Sequence, residues 1–163
     1  MRQKSEPEIL HLAASYCSMA ERCIQDVRKK IKTACISSEV EERIIARLLK
    51  ERYIDESRYC RSYVKDKFRL NRWGRIKICY ELRGKNISAN DIDEAVNQID
   101  EDEYCSILYD LLKDKKQTTK GQTAQDVFNK LYRFAASRGF ESNLTIQQLK
   151  KLLKASFDVD MDE

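Results

Sequence analysis

Apolar positions recur along the chain with the spacing of helices. In three segments the apolar residues fall three or four positions apart, which predicts a helix with one buried face. These residues are Ile44, Ile45, Leu48 and Leu49 in the first segment, Ile92, Ala95, Val96 and Ile99 in the second, and Ile146, Leu149, Leu152 and Leu153 in the third. No segment shows the alternating pattern of a strand, so the pattern predicts an all-α protein.

The segments that precede these helices also repeat. DVRKKIKTACIS, which begins at Asp26, has a counterpart 51 residues later in KICYELRGKNIS. The expected equivalent pairs are Val27 and Ile31, Ile78 and Leu82, and Phe128 and Leu131, with a slightly longer turn in the third copy. A period of roughly 50 residues is typical of tandem helical arrays, in which a surface carries the function.

The repeats predict three-helix units that form an elongated, curved array. We divide the chain into 1–20 (an N-terminal extension and the start of the first helix), 21–72 (repeat 1), 73–114 (repeat 2), 115–123 (a basic linker), 124–155 (repeat 3, with its third helix short or absent) and 156–163 (an acidic tail).

Helix boundaries are marked by glycines and by capping patterns. Gly84 and Gly139 stand where the first helix of a copy ends, and glycine suits the left-handed backbone found there. The first copy has Thr33 and Ala34 instead. Each second helix is expected to begin with a hydroxyl followed three residues later by an acidic or amide side chain. These pairs are Ser38 and Glu41, Ser88 and Asp91, and Thr145 and Gln148.

Composition excludes several classes of protein. The 163 residues include one Pro and four Gly, and hydrophobic residues make up 42% of the chain, which suits a folded helical protein. No apolar run is long enough to span a membrane, and no secretory signal is evident. The six Cys form no CxxC pair and His11 is the only His, so we predict no metal, no cofactor and Cys residues that serve as small core side chains. No catalytic motif is evident, so we do not expect an enzyme.

Charge is segregated along the chain. Residues 21–89 carry 19 Lys and Arg against 10 Asp and Glu, whereas residues 90–114 carry one Lys against nine acids. On a helix, Arg58, Arg61, Lys65, Arg69 and Arg72 fall on one face, opposite apolar Cys60, Val64 and Phe68. A one-signed stripe favours a nucleic-acid phosphate backbone or an acidic protein surface over a merely solvated face. The candidate binding residues are Arg58, Arg61, Lys65, Arg69, Arg72, Arg75 and Lys77.

Trp73 follows the stripe and precedes Gly74, which opens the second repeat. Beside Arg72 and Arg75 it is placed either to stack on a base or to fix the junction between two repeats. The structural role is favoured, since Trp is more often a packing anchor.

The combination of these motifs resembles the RecX family of bacterial regulatory proteins. The residues that carry the resemblance are the junction Tyr53, Ile54, Asp55, Glu56, Ser57, Arg58 and Tyr59, the pair Tyr63 and Val64, the run Leu82, Arg83 and Gly84, and the late Arg138, Gly139 and Phe140. The resemblance covers roughly residues 20–154. Thr33 departs from the Gly usual in the family.

The resemblance implies a cytoplasmic modulator of the RecA recombinase, active in homologous recombination, DNA repair and the SOS response. Such a protein binds the RecA filament on single-stranded DNA and inhibits strand exchange and ATP hydrolysis without catalysis of its own. It implies RecA and single-stranded DNA as partners, with no membrane, and we expect a monomer. The alternatives are a plain DNA-binding helical module, similar to a helix-turn-helix regulator, and a scaffold that binds proteins alone.

Overall fold

The computed structural model describes residues 2–160, with side chains described for residues 2–154, and this part of the chain consists of helices joined by turns. The helices are α1 (Glu6–Met19), α2 (Ile24–Lys32), α3 (Ser38–Lys50), α4 (Glu56–Arg69), α5 (Arg75–Gly84), α6 (Ala89–Asn97), α7 (Glu101–Lys116), α8 (Ala124–Ser137) and α9 (Ser142–Asp160). The predicted all-α class is confirmed. None of the described helices combines the length and the apolar composition needed to cross a membrane. Of the predicted acidic tail, residues 156–160 belong to α9, and residues 161–163 lie outside the described part.

The helices α1, α4 and α7 begin in the same way. A side-chain oxygen in front of α1, α4 and α7 accepts a hydrogen bond from a backbone N–H three residues later, which satisfies one donor at the helix start. The capping residues are Ser5, Asp55 and Asp100. The residue four positions after each cap is buried, and these residues are Ile9, Tyr59 and Tyr104. In this frame the repeats start with α1, α4 and α7, whereas the predicted division starts them at residues 21, 73 and 124.

The turns that follow α2, α5 and α8 are equivalent, because in each the next helix begins three residues after a residue with a left-handed backbone. Each passes through one residue with a left-handed backbone: Cys35 (φ 54°), Asn86 (φ 60°) and Gly139 (φ 90°). The residues four and eight positions earlier are buried in all three copies, and they are Ile31 and Val27, Leu82 and Ile78, and Ala135 and Leu131. The prediction of Phe128 and Leu131 as the third pair, with a longer turn, was therefore wrong by one helical turn.

The predicted capping residues and glycines need three corrections. Ser37, not Ser38, caps α3 by accepting from the Val40 N–H. Thr145 lies inside α9, where its hydroxyl donates to the Glu141 carbonyl. Gly84 is the last residue of α5 and has no left-handed backbone. Only Ser88 caps its helix as predicted, through the Asp91 N–H.

The chain divides into two compact units. Unit 1 comprises Met1–Tyr63 and Leu82–Ala95, and unit 2 comprises Val64–Glu81 and Val96–Glu163. In unit 1 the helices α1, α2 and α3 contact one another around a core that includes Ala13, Val27 and Leu48, each 0% exposed. Each fully buried Leu or Val contributes about 1.5–3 kcal/mol to folding.

In unit 2 the helices α7, α8 and α9 contact one another, and their core includes Leu108, Leu112 and Leu149. The start of α5 passes close to the α8–α9 turn, where the Gly74 N–H donates to the Arg138 carbonyl at 2.8 Å. A Cβ on Gly74 would overlap the backbone of Gly139. This position requires glycine because two backbone segments meet there.

The sequence predicted that the cysteines are small core side chains, but only some of them are buried. Cys23 and Cys60 are buried, but Cys35, in the turn after α2, is exposed. All six thiols are free. Burial raises the pKa of Cys23 to about 11 and that of Cys60 to about 12.

Candidate interaction surface

The two predicted site residues in unit 1 are engaged to different degrees. Arg58 donates to the Glu21 carboxylate at 2.6 Å and to the Arg52 carbonyl at 3.0 Å. That carbonyl follows the end of α3, so Arg58 holds the α3–α4 turn closed. Arg61 is exposed and donates to Ser57 Oγ at 2.8 Å, one turn earlier on α4. Arg61 is therefore the more available of the two cations for a partner.

In unit 2 the acidic block pairs with part of the basic stripe. Arg69 donates two hydrogen bonds to the Glu103 carboxylate, at 2.8 and 3.3 Å, and this pairing raises the pKa of Arg69. Arg72 donates to Asp114 at 2.7 Å. Because α4 ends at Arg69 and Arg72 has a left-handed backbone (φ 54°), the predicted helical stripe does not extend to Arg72. Both pairs lie on the surface, where solvent screens the attraction between the charges.

Arg75 belongs to a half-buried network in unit 2. Its guanidinium lies 3.8 Å from the centre of the Tyr104 ring and pairs with Glu101 and with Glu141, the latter at 2.8 Å. The Tyr104 hydroxyl donates to Glu141 and accepts from the Arg75 backbone N–H at 3.0 Å. Burial opposes the charge of Arg75, but the hydrogen bonds to Glu141 and Glu101 outweigh it and raise its pKa. This predicted binding residue is thus held inside unit 2, where its side chain is 21% exposed.

Three lysines lie on the same stretch of unit 2 and have different surroundings. Lys65 is exposed and makes no hydrogen bond or ion pair with the described residues. The Lys67 and Lys77 ammonium groups lie 4.8 and 4.5 Å from the centre of the half-buried Trp73 ring. Cation–π contacts of this kind fix the Trp73 ring and present positive charge around it. The arrangement agrees with the structural role favoured for Trp73.

Exposed apolar side chains lie in the same part of unit 2, and sequence reasoning missed them as a group. Leu70 is 79% exposed, Ile76 is 54% exposed and Tyr80 is 70% exposed. Ile76 and Tyr80 are four residues apart on α5, whereas Ile78 and Leu82 on the same helix are buried. The signal was present, because α5 carries apolar residues on more than one face. Exposed aromatic and aliphatic residues beside cations are typical of surfaces that bind another protein.

The fold defines the class of the molecule: a protein of tandem three-helix repeats, with exposed basic and apolar side chains on unit 2. A family model described as "RecX, second three-helix domain" matches residues 55–96, which hold α4, α5 and α6. A crystal structure of regulatory protein RecX matches with a TM-score of 0.79 at 25% identity, and the match covers 90% of this chain and 73% of that one. The structure of RecX from Lactobacillus salivarius has a TM-score of 0.80 at 19% identity, which supports the fold alone.

Relatives agree with this match. Regulatory protein RecX of Prosthecochloris aestuarii is 29% identical over 153 residues, which cover 94% of this chain and 99% of the relative. Regulatory protein RecX of Clostridium tetani is 31% identical over 143 residues, covering 86% and 65%. The match to regulatory protein RecX of Clostridium beijerinckii, at 28% identity, spans 63% of that relative's length. Over most of its length the chain is similar to the RecX regulatory proteins, and residues 55–96 match the second three-helix domain of that family.

Proposed function

We propose that this protein is a non-catalytic cytoplasmic regulator that binds RecA filaments on single-stranded DNA and inhibits ATP hydrolysis and strand exchange by RecA. The observation that carries the proposal is the similarity of the chain to the RecX regulatory proteins named above. The surface of unit 2 supports it because that surface suits a partner made of protein and nucleic acid together.

The surface carries both cations and apolar side chains, and a RecA filament on single-stranded DNA has a partner for each. Lys65 and Lys77 offer positive charge to phosphates or to acidic side chains. Ile76 and Tyr80 offer apolar area that a phosphate backbone does not require but a protein surface does. A filament presents both kinds of surface, so it accounts for the combination better than bare DNA.

The test is ATP hydrolysis by RecA on single-stranded DNA, titrated with the protein. We expect inhibition, and we expect the double variant Arg61→Glu/Lys65→Glu to need about tenfold more protein for half-inhibition. The matched control is Lys29→Glu/Lys50→Glu, which changes the net charge equally on exposed positions of α2 and α3. The absence of inhibition by the unmodified protein at every ratio would rule out the proposed function.

A second pair of variants separates the protein contact from the charge contact. Ile76→Ser/Tyr80→Ser removes exposed apolar area without disturbing buried side chains, and we expect about tenfold weaker inhibition. Leu49→Ser, at a position 40% exposed on α3, is the control and should inhibit as the unmodified protein does. If the Ile76 and Tyr80 variant inhibits normally while binding to bare DNA persists, the plain DNA-binding alternative is favoured.

A further inference from the structure

Helix α1 carries apolar residues on two faces. Ile9 and Ala13 are buried in the core of unit 1, as expected for a surface helix. A second row, spaced four and three residues apart, consists of Leu12, Tyr16 and Met19, and Met19 is 80% exposed. A row with this spacing follows the helix axis for about two turns. Tyr16 also packs partly against the core of unit 1, whereas Leu12 and Met19 are not part of that core.

An open groove of about 620 Å³ lies along this row, and its accessible lining is mostly apolar. A second groove of about 490 Å³ shares Arg2, Lys4, Leu12 and Lys30 with the first and continues to Ile31 at the end of α2. Both grooves are formed by residues 2–35, all within unit 1. Together they provide an apolar floor beside one exposed helix.

The border of the groove is positively charged. Arg2, Lys4 and Lys30 line it, and the single lining acid, Glu8, is paired with Arg2 and accepts from the Ser5 backbone N–H. The Tyr16 ring on the floor carries the Arg22 guanidinium at 3.8 Å and the Lys30 ammonium at 5.3 Å. A ligand that fits must therefore be apolar along one line and acidic at its sides.

We infer that this groove on α1 binds an acidic amphipathic helix of a partner protein. A helix presents apolar side chains at three- and four-residue intervals, which matches the row of Leu12, Tyr16 and Met19, and its flanks present carboxylates to Lys4 and Lys30. A second copy of this chain docked through the same face would bring like charges together. Nucleic acid would match the cations but not the apolar floor. The inference is independent of the proposed RecA function, since none of its residues belongs to the unit 2 surface.

The test uses the full chain and a fluorescently labelled designed peptide of about 14 residues with Leu on one face and Glu on its flanks. We expect saturable binding in fluorescence anisotropy that weakens as salt is raised. A peptide with Ser in place of the Leu residues, and one with Lys in place of Glu, should each bind at least about tenfold more weakly. Equal binding of either control peptide, or no saturable binding of the first, overturns the inference.

Variants of the protein locate the site. Met19→Glu changes a mostly exposed side chain, so it should leave the helical circular dichroism unchanged and weaken binding by about tenfold. Lys30→Glu should weaken binding similarly, whereas Leu49→Glu on α3 should have no effect. Unchanged affinity in both Met19→Glu and Lys30→Glu overturns the assignment. A peptide with the sequence of residues 155–163, ASFDVDMDE, is the remaining probe. If it competes more strongly than the designed helix, the occupant is the chain's own terminal sequence and the partner assignment fails.

Discussion

Replacing Tyr104 by Phe tests whether the half-buried network holds unit 2 together. Tyr104 is 0% exposed, and its ring lies 5.6 Å from that of Phe68 and 5.2 Å from that of Phe140, measured between centroids. The substitution keeps these ring contacts and creates almost no cavity. It removes only the hydroxyl, which donates to Glu141 and accepts from the Arg75 N–H.

The expected loss of stability follows from these two hydrogen bonds. The bond to the Arg75 N–H is a neutral one, worth about 1 kcal/mol, and its loss leaves a partly buried donor without a partner. The bond to the Glu141 carboxylate is charge-assisted, worth about 1.5–3 kcal/mol, but Glu141 keeps its pairing with Arg75. We therefore expect the free energy of unfolding to fall by about 2–3 kcal/mol.

Urea unfolding followed by far-ultraviolet circular dichroism measures this loss, and Tyr109→Phe is the matched control on the same helix. Tyr109 makes no hydrogen bond with the described residues, so its substitution should change the free energy by less than about 0.5 kcal/mol. If both variants unfold at the same urea concentration, the network does not stabilise unit 2 as argued.

The pH dependence of the same pair gives an independent check. Burial and the donation to Glu141 raise the pKa of Tyr104 in the folded protein. A raised folded pKa means that the stability is present below the unfolded pKa, about 10, and is lost as the pH rises above it. Phe cannot lose a proton. The difference in the free energy of unfolding between Tyr104→Phe and the unmodified protein should therefore become smaller above about pH 10. A gap that widens there contradicts the reasoning.

Three other features give sharp predictions. Gly74→Ala should destabilise the protein by at least about 2 kcal/mol in urea unfolding, because the new Cβ meets the backbone of the α8–α9 turn. Its control Gly84→Ala, with open space around the new Cβ, should be neutral or stabilising by up to about 1 kcal/mol. A thiol reagent at pH 8 should label the exposed Cys35 first and the buried Cys60 last, because burial raises the pKa of Cys60 to about 12. Mass spectrometry measures the order of labelling. Early labelling of Cys60 would show that its surroundings open to solvent. Burial and nearby carboxylates raise the pKa of Glu56, and one of its carboxylate oxygens is buried without a partner among the described residues. We therefore expect Glu56→Gln to gain stability relative to the unmodified protein as the pH rises from about 4 to 7. A difference between the two melting temperatures that stays constant with pH would contradict this.

The helices were predictable from sequence because their apolar spacing repeats, but the turns between them were not. Glycine is the usual signal for a left-handed residue, yet the equivalent turns use Cys35, Asn86 and Gly139. A left-handed Cys or Asn costs on the order of 1 kcal/mol, and the buried residues on either side hold it in place. Only the third turn carries a glycine at the left-handed position, so glycine did not mark the equivalent turns.

The sequence showed where the charged residues lie along the chain, but not which of them form ion pairs in the fold. The sequence shows a basic block (residues 21–89) followed by an acidic block (residues 90–114), and this segregation indicates a one-signed basic surface. In unit 2 two acidic residues of α7 form ion pairs with residues of the basic stripe: Glu103 with Arg69, and Asp114 with Arg72. Such pairing depends on how helices pack, which no local pattern reports. It reduces the number of cations that a partner can use.

This reduction makes a quantitative prediction about salt. For a protein that contacts single-stranded DNA directly, the logarithm of the binding constant falls with the logarithm of salt concentration by about 0.7 for each neutralised phosphate. If all seven predicted cations bound phosphates, the slope would be about −5. Only three of them, Arg61, Lys65 and Lys77, pair with no described carboxylate, and these three alone give a slope of about −2. We expect the shallower slope in an anisotropy titration with labelled single-stranded DNA. Lys65→Ala should reduce it by about 0.7, whereas Arg69→Ala, which frees Glu103, should leave the slope nearly unchanged. A slope near −5 would show that the ion pairs of Arg69 and Arg72 exchange their carboxylates for phosphates on binding.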